Sequence, residues 1–121
     1  MALSVLAKLS VAAIALLHLY ILVLEMFFWD KPVGLKAFGQ TLEAARASKV
    51  LAANQGLYNG FLAAGLIWGL TLGPAGTGVQ LFFLACVFVA GVFGAATATR
   101  KILLVQSLPA AVASILVWLS S

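Results

Sequence analysis

The stretch from Ser4 to Phe28, SVLAKLSVAAIALLHLYILVLEMFF, is long and apolar enough to decide the fold class. A helix needs about 20 residues to cross a hydrocarbon core of roughly 30 Å, and this stretch exceeds that length. It is apolar on all sides and lacks the alternation that is typical of a β-barrel strand. The sequence therefore predicts a first membrane-spanning helix over residues 4–28.

The whole chain has the composition of an integral membrane protein. Of its 121 residues, 64% are hydrophobic and 8% are charged, so one small soluble core could not bury its apolar surface. Further apolar runs predict spans over about residues 50–72, 79–99 and 102–119. We therefore expect an all-α, polytopic membrane four-helix bundle that forms a single domain over residues 1–121.

The connections between these spans predict the orientation. The first connection carries Lys31, Lys36, Arg46 and Lys49, the third carries Arg100 and Lys101, and the second carries no basic residue. The positive-inside rule then places the long first connection and the third connection in the cytoplasm, with both termini outside, opposed by Lys8. We predict a multi-pass protein of the cell (inner or plasma) membrane. Six of its seven basic residues lie between predicted spans and do not form a nucleic-acid-binding face, and the expected partners include membrane lipids.

The first connection also contains apolar residues at helical spacing. Phe38, Leu42 and Ala45 follow one another at intervals of three or four residues, with charged residues beside them. This pattern predicts a short interfacial helix or a cytoplasmic extension of the second span.

Polar side chains inside the spans are the main functional indication. At about 1.5 Å of rise per helical residue, they lie in the cytoplasmic half of the membrane, with His18 about 15 Å deep and Glu25 about 5 Å deep. We therefore predict a polar pocket that opens to the cytoplasm. The predicted acid–base residues are His18, Glu25 and Tyr58, and the predicted substrate-binding residues are Asn54, Gln55, Asn59 and Gln106.

These residues favour binding, or acid–base processing, of a hydrophobic small molecule from the cytoplasmic leaflet. Residue types alone do not decide whether the protein is an enzyme. Two alternatives stay open: a proton-coupled exporter that uses Glu25, as in small multidrug exporters, and a non-catalytic scaffold or subunit whose polar side chains hold the helices together. No cofactor or metal site is predicted, because the chain has a single histidine and a single cysteine.

Small residues in the second span and a proline in the fourth predict local features of packing. Gly65 and Gly69 have the spacing of close helix association, either within one chain or between chains, and we predict a homo-oligomer. Pro109 lacks an N–H, so it should free a backbone carbonyl near Val105.

The run Asn54-Gln55-Gly56-Leu57-Tyr58-Asn59-Gly60-Phe61-Leu62-Ala63 resembles the domain-of-unknown-function 1304 family of small four-span membrane proteins. Further matching residues are His18-Leu19-Tyr20, Glu25-Met26, Trp29, Ala90-Gly91-Val92-Phe93-Gly94-Ala95, Thr97, Gln106 and Pro109-Ala110. The resemblance covers essentially the whole chain. It implies a four-span fold and no established activity, so the functional prediction rests on the residues themselves.

Overall fold

A computed structural model describes residues 2–121, which form helices and connections without a β-strand. The α-helices in these residues are α1 (Ala2–Phe27), α2 (Pro32–Phe38), α3 (Leu42–Ala47), α4 (Lys49–Thr71), α5 (Thr77–Thr97) and α6 (Leu108–Ser120). A 3-10 turn over Gly73–Gly76 precedes α5, and a π-helical segment over Leu103–Ser107 precedes α6. The prediction of an all-helical protein is confirmed.

Within residues 2–121, three segments are long and apolar enough to cross a membrane: Ala2–Phe27, Gly73–Thr97 and Leu103–Ser120. They correspond closely to the first, third and fourth predicted spans. Helix α4 matches the second predicted span and has 23 residues, but it is not among the three. The amides in its first half make it the most polar of the long helices. The chain therefore has the apolar helices of a membrane protein.

The connection after α1 forms two short helices where the sequence predicts one helix or an extension of the second span. Helix α2 has Pro32 in its first turn and ends at Gly39, whose φ of 60° is left-handed. Helix α3 begins after Thr41, whose side-chain oxygen accepts a hydrogen bond from the Ala44 N–H at 3.1 Å. Gly39 divides the predicted helix, because its backbone conformation cannot continue a right-handed turn.

The fourth predicted span begins as a π-helical segment, whereas a continuous α-helix from Ile102 was expected. The N–H of Leu108 donates to the carbonyl of Leu103, five residues earlier. Pro109 has no N–H to donate to Val105, and its ring crowds the preceding turn. The wider π turn accommodates this proline, and the predicted disturbance near Val105 therefore lies within Leu103–Ser107.

The described chain forms two compact units. One contains residues 2–15 and 64–121, and the other contains residues 16–63, so α1 and α4 each pass through both. The single-domain organisation stays a prediction. In the first unit, the buried side chains are mostly small or branched aliphatic ones, including Val11, Leu66, Leu84, Val87, Ala110 and Ala113.

The Gly65 and Gly69 pair in the first unit packs against α5. A Cβ at Gly65 would collide with the ring of Phe83, and one at Gly69 would lie 2.7 Å from Cγ of Gln80. Gln80 is 8% exposed, and its Nε2 donates to the Gly69 carbonyl at 3.1 Å. The sequence left open whether this spacing serves helix association within one chain or between chains. The structure shows packing within one chain. The homo-oligomer stays a prediction.

A second close approach joins α5 to the π segment. A Cβ at Gly91 would lie 2.8 Å from the backbone nitrogen of Ser107 and would collide with its hydroxyl oxygen. The Ser107 hydroxyl donates to the carbonyl of Phe88 at 2.9 Å. Gly91 therefore provides the space in which Ser107 bonds to the backbone of α5.

Candidate functional site

The candidate site lies in the unit of residues 16–63, where α1 and α4 hold a carboxyl–amide pair. Nδ2 of Asn59 on α4 donates a hydrogen bond to Oε1 of Glu25 on α1 at 2.5 Å. Both side chains are partly buried. The structure thus brings a predicted acid–base residue into direct contact with a predicted substrate-binding residue.

Two glycines bring α1 and α4 close enough for this hydrogen bond. A Cβ at Gly56 would lie 3.2 Å from Cβ of Glu25, and one at Gly60 would lie 2.7 Å from Cδ1 of Leu22. Side chains at these positions would therefore push α1 away from Asn59. The spacing Gly56-x-x-x-Gly60 is a visible signal of close helix packing. The predicted packing pair, however, is Gly65 and Gly69 and does not include Gly56.

His18 lies deeper along α1 and is fully buried, with an exposed fraction of 0%. It has a partner within the fold. His18 and Glu25 are seven residues apart, so they share one side of α1 and are separated by about 10 Å of helical rise. Full burial leaves no accessible surface of His18 for a bound molecule, so its acid–base role stays a prediction.

The other predicted residues of α4 lie on an exposed face. Tyr58 is 54% exposed, and the centroid of its ring is 6.2 Å from that of Phe61. Asn54 is exposed, and its Nδ2 donates to the Val50 carbonyl of the same helix at 3.0 Å. Gln55 is also exposed. The structure therefore places Asn59 toward α1 and leaves Asn54, Gln55 and Tyr58 at the surface.

Gln106 belongs to the other compact unit, within the π segment. Its side chain is partly buried and has a partner in the fold. Its role in binding a substrate stays a prediction, as do the roles of Tyr58, Asn54 and Gln55.

Two recesses in the structure lie away from these residues. One of about 530 Å³ is apolar and is lined by α5 residues that include Phe82, Cys86 and Phe93. Another of about 260 Å³ is lined by residues that include Lys8 and Gln80. None of the predicted site residues lines either recess, and the polar pocket stays a prediction. Within residues 2–121, no three His, Cys, Asp or Glu side chains are grouped so that they could hold a metal ion.

Polar contacts join the end of α1 to the start of α4, close to Glu25. Nε1 of Trp29 donates to the hydroxyl of Ser48 at 3.1 Å, and Nζ of Lys49 donates to Oδ2 of Asp30 at 3.1 Å. The ring of Trp29 packs against that of Phe38, with centroids 4.8 Å apart. The hydrogen bond from Lys49 holds the pKa of the Asp30 carboxyl below its usual value. Sequence reasoning used Lys49 only as evidence of topology and missed this ion pair.

Comparison with known proteins agrees with the resemblance described above. The family model described as "Protein of unknown function (DUF1304)" matches residues 12–118. The chain is also similar to an uncharacterized protein, YpaA, of Lactococcus lactis subsp. lactis (strain IL1403). The two are 30% identical over 95 residues, which cover 77% of this chain and 80% of that protein. No solved structure matches the chain. The family match includes every predicted site residue from His18 to Gln106, and the chain belongs to the DUF1304 family.

Proposed function

We propose that the protein is a four-span membrane protein that binds a hydrophobic small molecule and processes it by acid–base chemistry. The observation that carries this proposal is the hydrogen bond between Asn59 and Glu25 in the helix pair α1–α4. His18, two turns deeper on α1, is the second titratable group of the proposed centre.

Helix α4 is the second span in this proposal. Its 23 residues rise about 34 Å, which is enough to cross a hydrocarbon core. Polar side chains at this depth need partners, and the Glu25 carboxyl provides one for Asn59. With four spans, the two basic connections share the cytoplasmic side and both termini lie outside.

The contact with Asn59 suits Glu25 to proton exchange. An amide N–H can donate both to a carboxylate and to the carbonyl oxygen of a protonated carboxyl group. Asn59 can therefore keep Glu25 in place while its proton is gained or lost. A carboxyl group that is held in both protonation states can act as a general acid or base toward a bound molecule.

The surroundings of this centre indicate the class of ligand. Leu22 and Met26 lie beside Glu25 on α1 and face the glycines of α4. Glu25 is two residues before the end of α1, close to the predicted cytoplasmic boundary. These positions favour a molecule with an apolar body and one polar group, which enters from the cytoplasmic leaflet and places that group against Glu25.

Mass spectrometry of compounds that copurify with the protein tests the proposal. We would purify the wild type, Glu25→Gln and Glu43→Gln from the same membranes in a mild detergent. Glu43→Gln is the matched control, because Glu43 is an exposed carboxylate on α3. We expect a compound that is enriched at least tenfold in the wild type and in Glu43→Gln over Glu25→Gln.

Two results would contradict this function. Equal recovery of every compound from the wild type and Glu25→Gln would mean that the carboxyl–amide pair only holds the helices together, as in a scaffold. Equal loss in Glu25→Gln and Glu43→Gln would mean that binding depends on overall charge and not on the α1–α4 centre.

A further inference from the structure

One exposed face of α4 has the residue spacing of an interface between helices. Leu51, Asn54, Tyr58 and Phe61 follow one another at intervals of three, four and three residues. The exposed fraction is 70% for Leu51 and 57% for Phe61, and Asn54 and Tyr58 are exposed between them. Alternating intervals of three and four residues give the heptad spacing of left-handed helix pairs. We call this set of four residues the α4 seam.

Among the residues of the α4 seam, Asn54 is the one whose exposure to lipid costs free energy. Its hydrogen bond to the Val50 carbonyl uses one of the two N–H hydrogens of the amide. The second hydrogen and the carbonyl oxygen can bond outside the helix. An amide that lacks such bonds in hydrocarbon raises the free energy of the protein. An amide has both a donor and an acceptor, so it is complementary to a copy of itself.

We propose that the α4 seam binds the α4 seam of a second copy of this chain, with Asn54 opposite the same residue of the partner. Two copies with one orientation in the membrane are related by a two-fold axis along the membrane normal. Their α4 helices then run parallel, and each residue of the seam faces its own counterpart. A side-chain amide at one seam position favours the register in which it bonds to its counterpart on the partner helix.

The residues at both ends of the α4 seam agree with this arrangement. Lys49 lies just before Leu51, and its ammonium is paired with Asp30 at 3.1 Å, which reduces repulsion between the two copies. Gly65 has the next position in the series, and Phe83 of α5 already covers it. The seam therefore ends at Phe61. This surface differs from the Gly65 and Gly69 face on which the predicted homo-oligomer was based.

Disulfide cross-linking in native membranes tests the pairing. We would introduce Phe61→Cys or Ile67→Cys into a Cys86→Ala background and treat the membranes with a membrane-permeant oxidant. Ile67 is the matched control, because it is 43% exposed on the opposite side of α4. We expect a cross-linked dimer from Phe61→Cys and at least tenfold less from Ile67→Cys. Equal cross-linking, or none from Phe61→Cys, would overturn the proposal, and the latter is expected if lipid or a small molecule covers this face.

A second measurement tests Asn54 itself. We would count labelled copies per particle by single-molecule photobleaching in lipid vesicles at increasing protein density. Asn54→Ala should weaken dimerisation about fivefold, and Asn54→Gln, which keeps an amide, should retain most of it. A monomeric wild type at all densities, or an unchanged dimer in Asn54→Ala, would overturn the role of this residue.

Discussion

The two compact units use their buried polar side chains in different ways. In the unit of residues 2–15 and 64–121, Gln80 and Ser107 each donate to a backbone carbonyl. In the unit of residues 16–63, Asn59 donates to the Glu25 side chain. The bonds from Gln80 and Ser107 end on backbone carbonyls and hold helices together, whereas the bond from Asn59 ends on a titratable carboxyl group. The comparison indicates that polar packing dominates the first unit and that the second contains the candidate for chemistry.

The largest expected effect comes from a substitution that disrupts the close packing of the first unit. Gly91→Val should lower the free energy of unfolding by about 3 kcal/mol, because its side chain would collide with Ser107. Thermal unfolding in detergent micelles would measure the change. Gly78→Ala in the same helix is the control, since no other atom lies within 4 Å of a Cβ built there. Equal unfolding temperatures for the two variants would refute the packing role of Gly91.

The second prediction concerns the carboxyl–amide pair in the other unit. A double-mutant cycle of Glu25→Leu and Asn59→Ala should show a coupling free energy of about 1 kcal/mol, because leucine removes the oxygen that accepts from Asn59. Equilibrium unfolding of the four proteins in one detergent would give the cycle. A parallel cycle of Glu43→Gln with Asn59→Ala should be additive. Additivity in both cycles would show that the hydrogen bond contributes no measurable free energy.

The third prediction sharpens the distinction between packing and chemistry. Gln80→Leu should lower the free energy of unfolding by about 0.6 kcal/mol, since it removes one hydrogen bond between helices. The variant should keep any compound that copurifies with the wild type, because Gln80 is outside the unit that holds Glu25. Loss of the compound from Gln80→Leu, measured beside Glu25→Gln, would contradict the division of roles.

The smallest expected effect is the pH dependence from Asp30. Its pKa in the folded protein is lower than the ordinary value of 3.8, mainly because of the hydrogen bond from Lys49. The stabilisation is therefore complete well above pH 3.8 and is lost as the pH falls below 3.8 through the folded pKa. The effect is small because the Lys49 side chain is 55% exposed.

Unfolding of Asp30→Asn beside the wild type between pH 7 and pH 2.5 would measure this contribution. The difference between the two proteins should shrink as the solution becomes more acidic. A difference that stays constant over this range would mean that the ion pair does not stabilise the fold.

The long helices were predictable because length and hydrophobicity decide them with little help from tertiary contacts. Residues 79–99, for example, contain no charged residue, and α5 occupies nearly the same range. The division at Gly39 was harder to predict. The helical spacing of Phe38 and Leu42 favours one helix, and a glycine adopts right-handed and left-handed conformations about equally well, so Gly39 alone does not decide where α2 ends.

The contact between Glu25 and Asn59 was only partly predictable from the sequence. Helical rise predicts one membrane layer for Glu25 and the α4 amides, and that layer stays a prediction. It did not show which amide meets the carboxyl, because Asn54, Gln55 and Asn59 lie within two turns of one helix. Their direction depends on how α4 packs against α1, and the glycines at 56 and 60 decide that packing. The sequence thus named both Glu25 and Asn59 among the candidate residues, and the structure shows the contact between them.

The carboxyl–amide contact has a consequence for the biosynthesis of this protein. Helix α4 carries amides that oppose its transfer from the translocation channel into lipid as a single helix. Helix α1 is synthesised first and carries the carboxyl group that bonds to Asn59, and Trp29 and Ser48 join the two helices at their base. We expect α1 and α4 to enter the bilayer together as a hairpin, whereas α5 and α6 belong to segments that are apolar enough to cross a membrane singly and can enter one after the other.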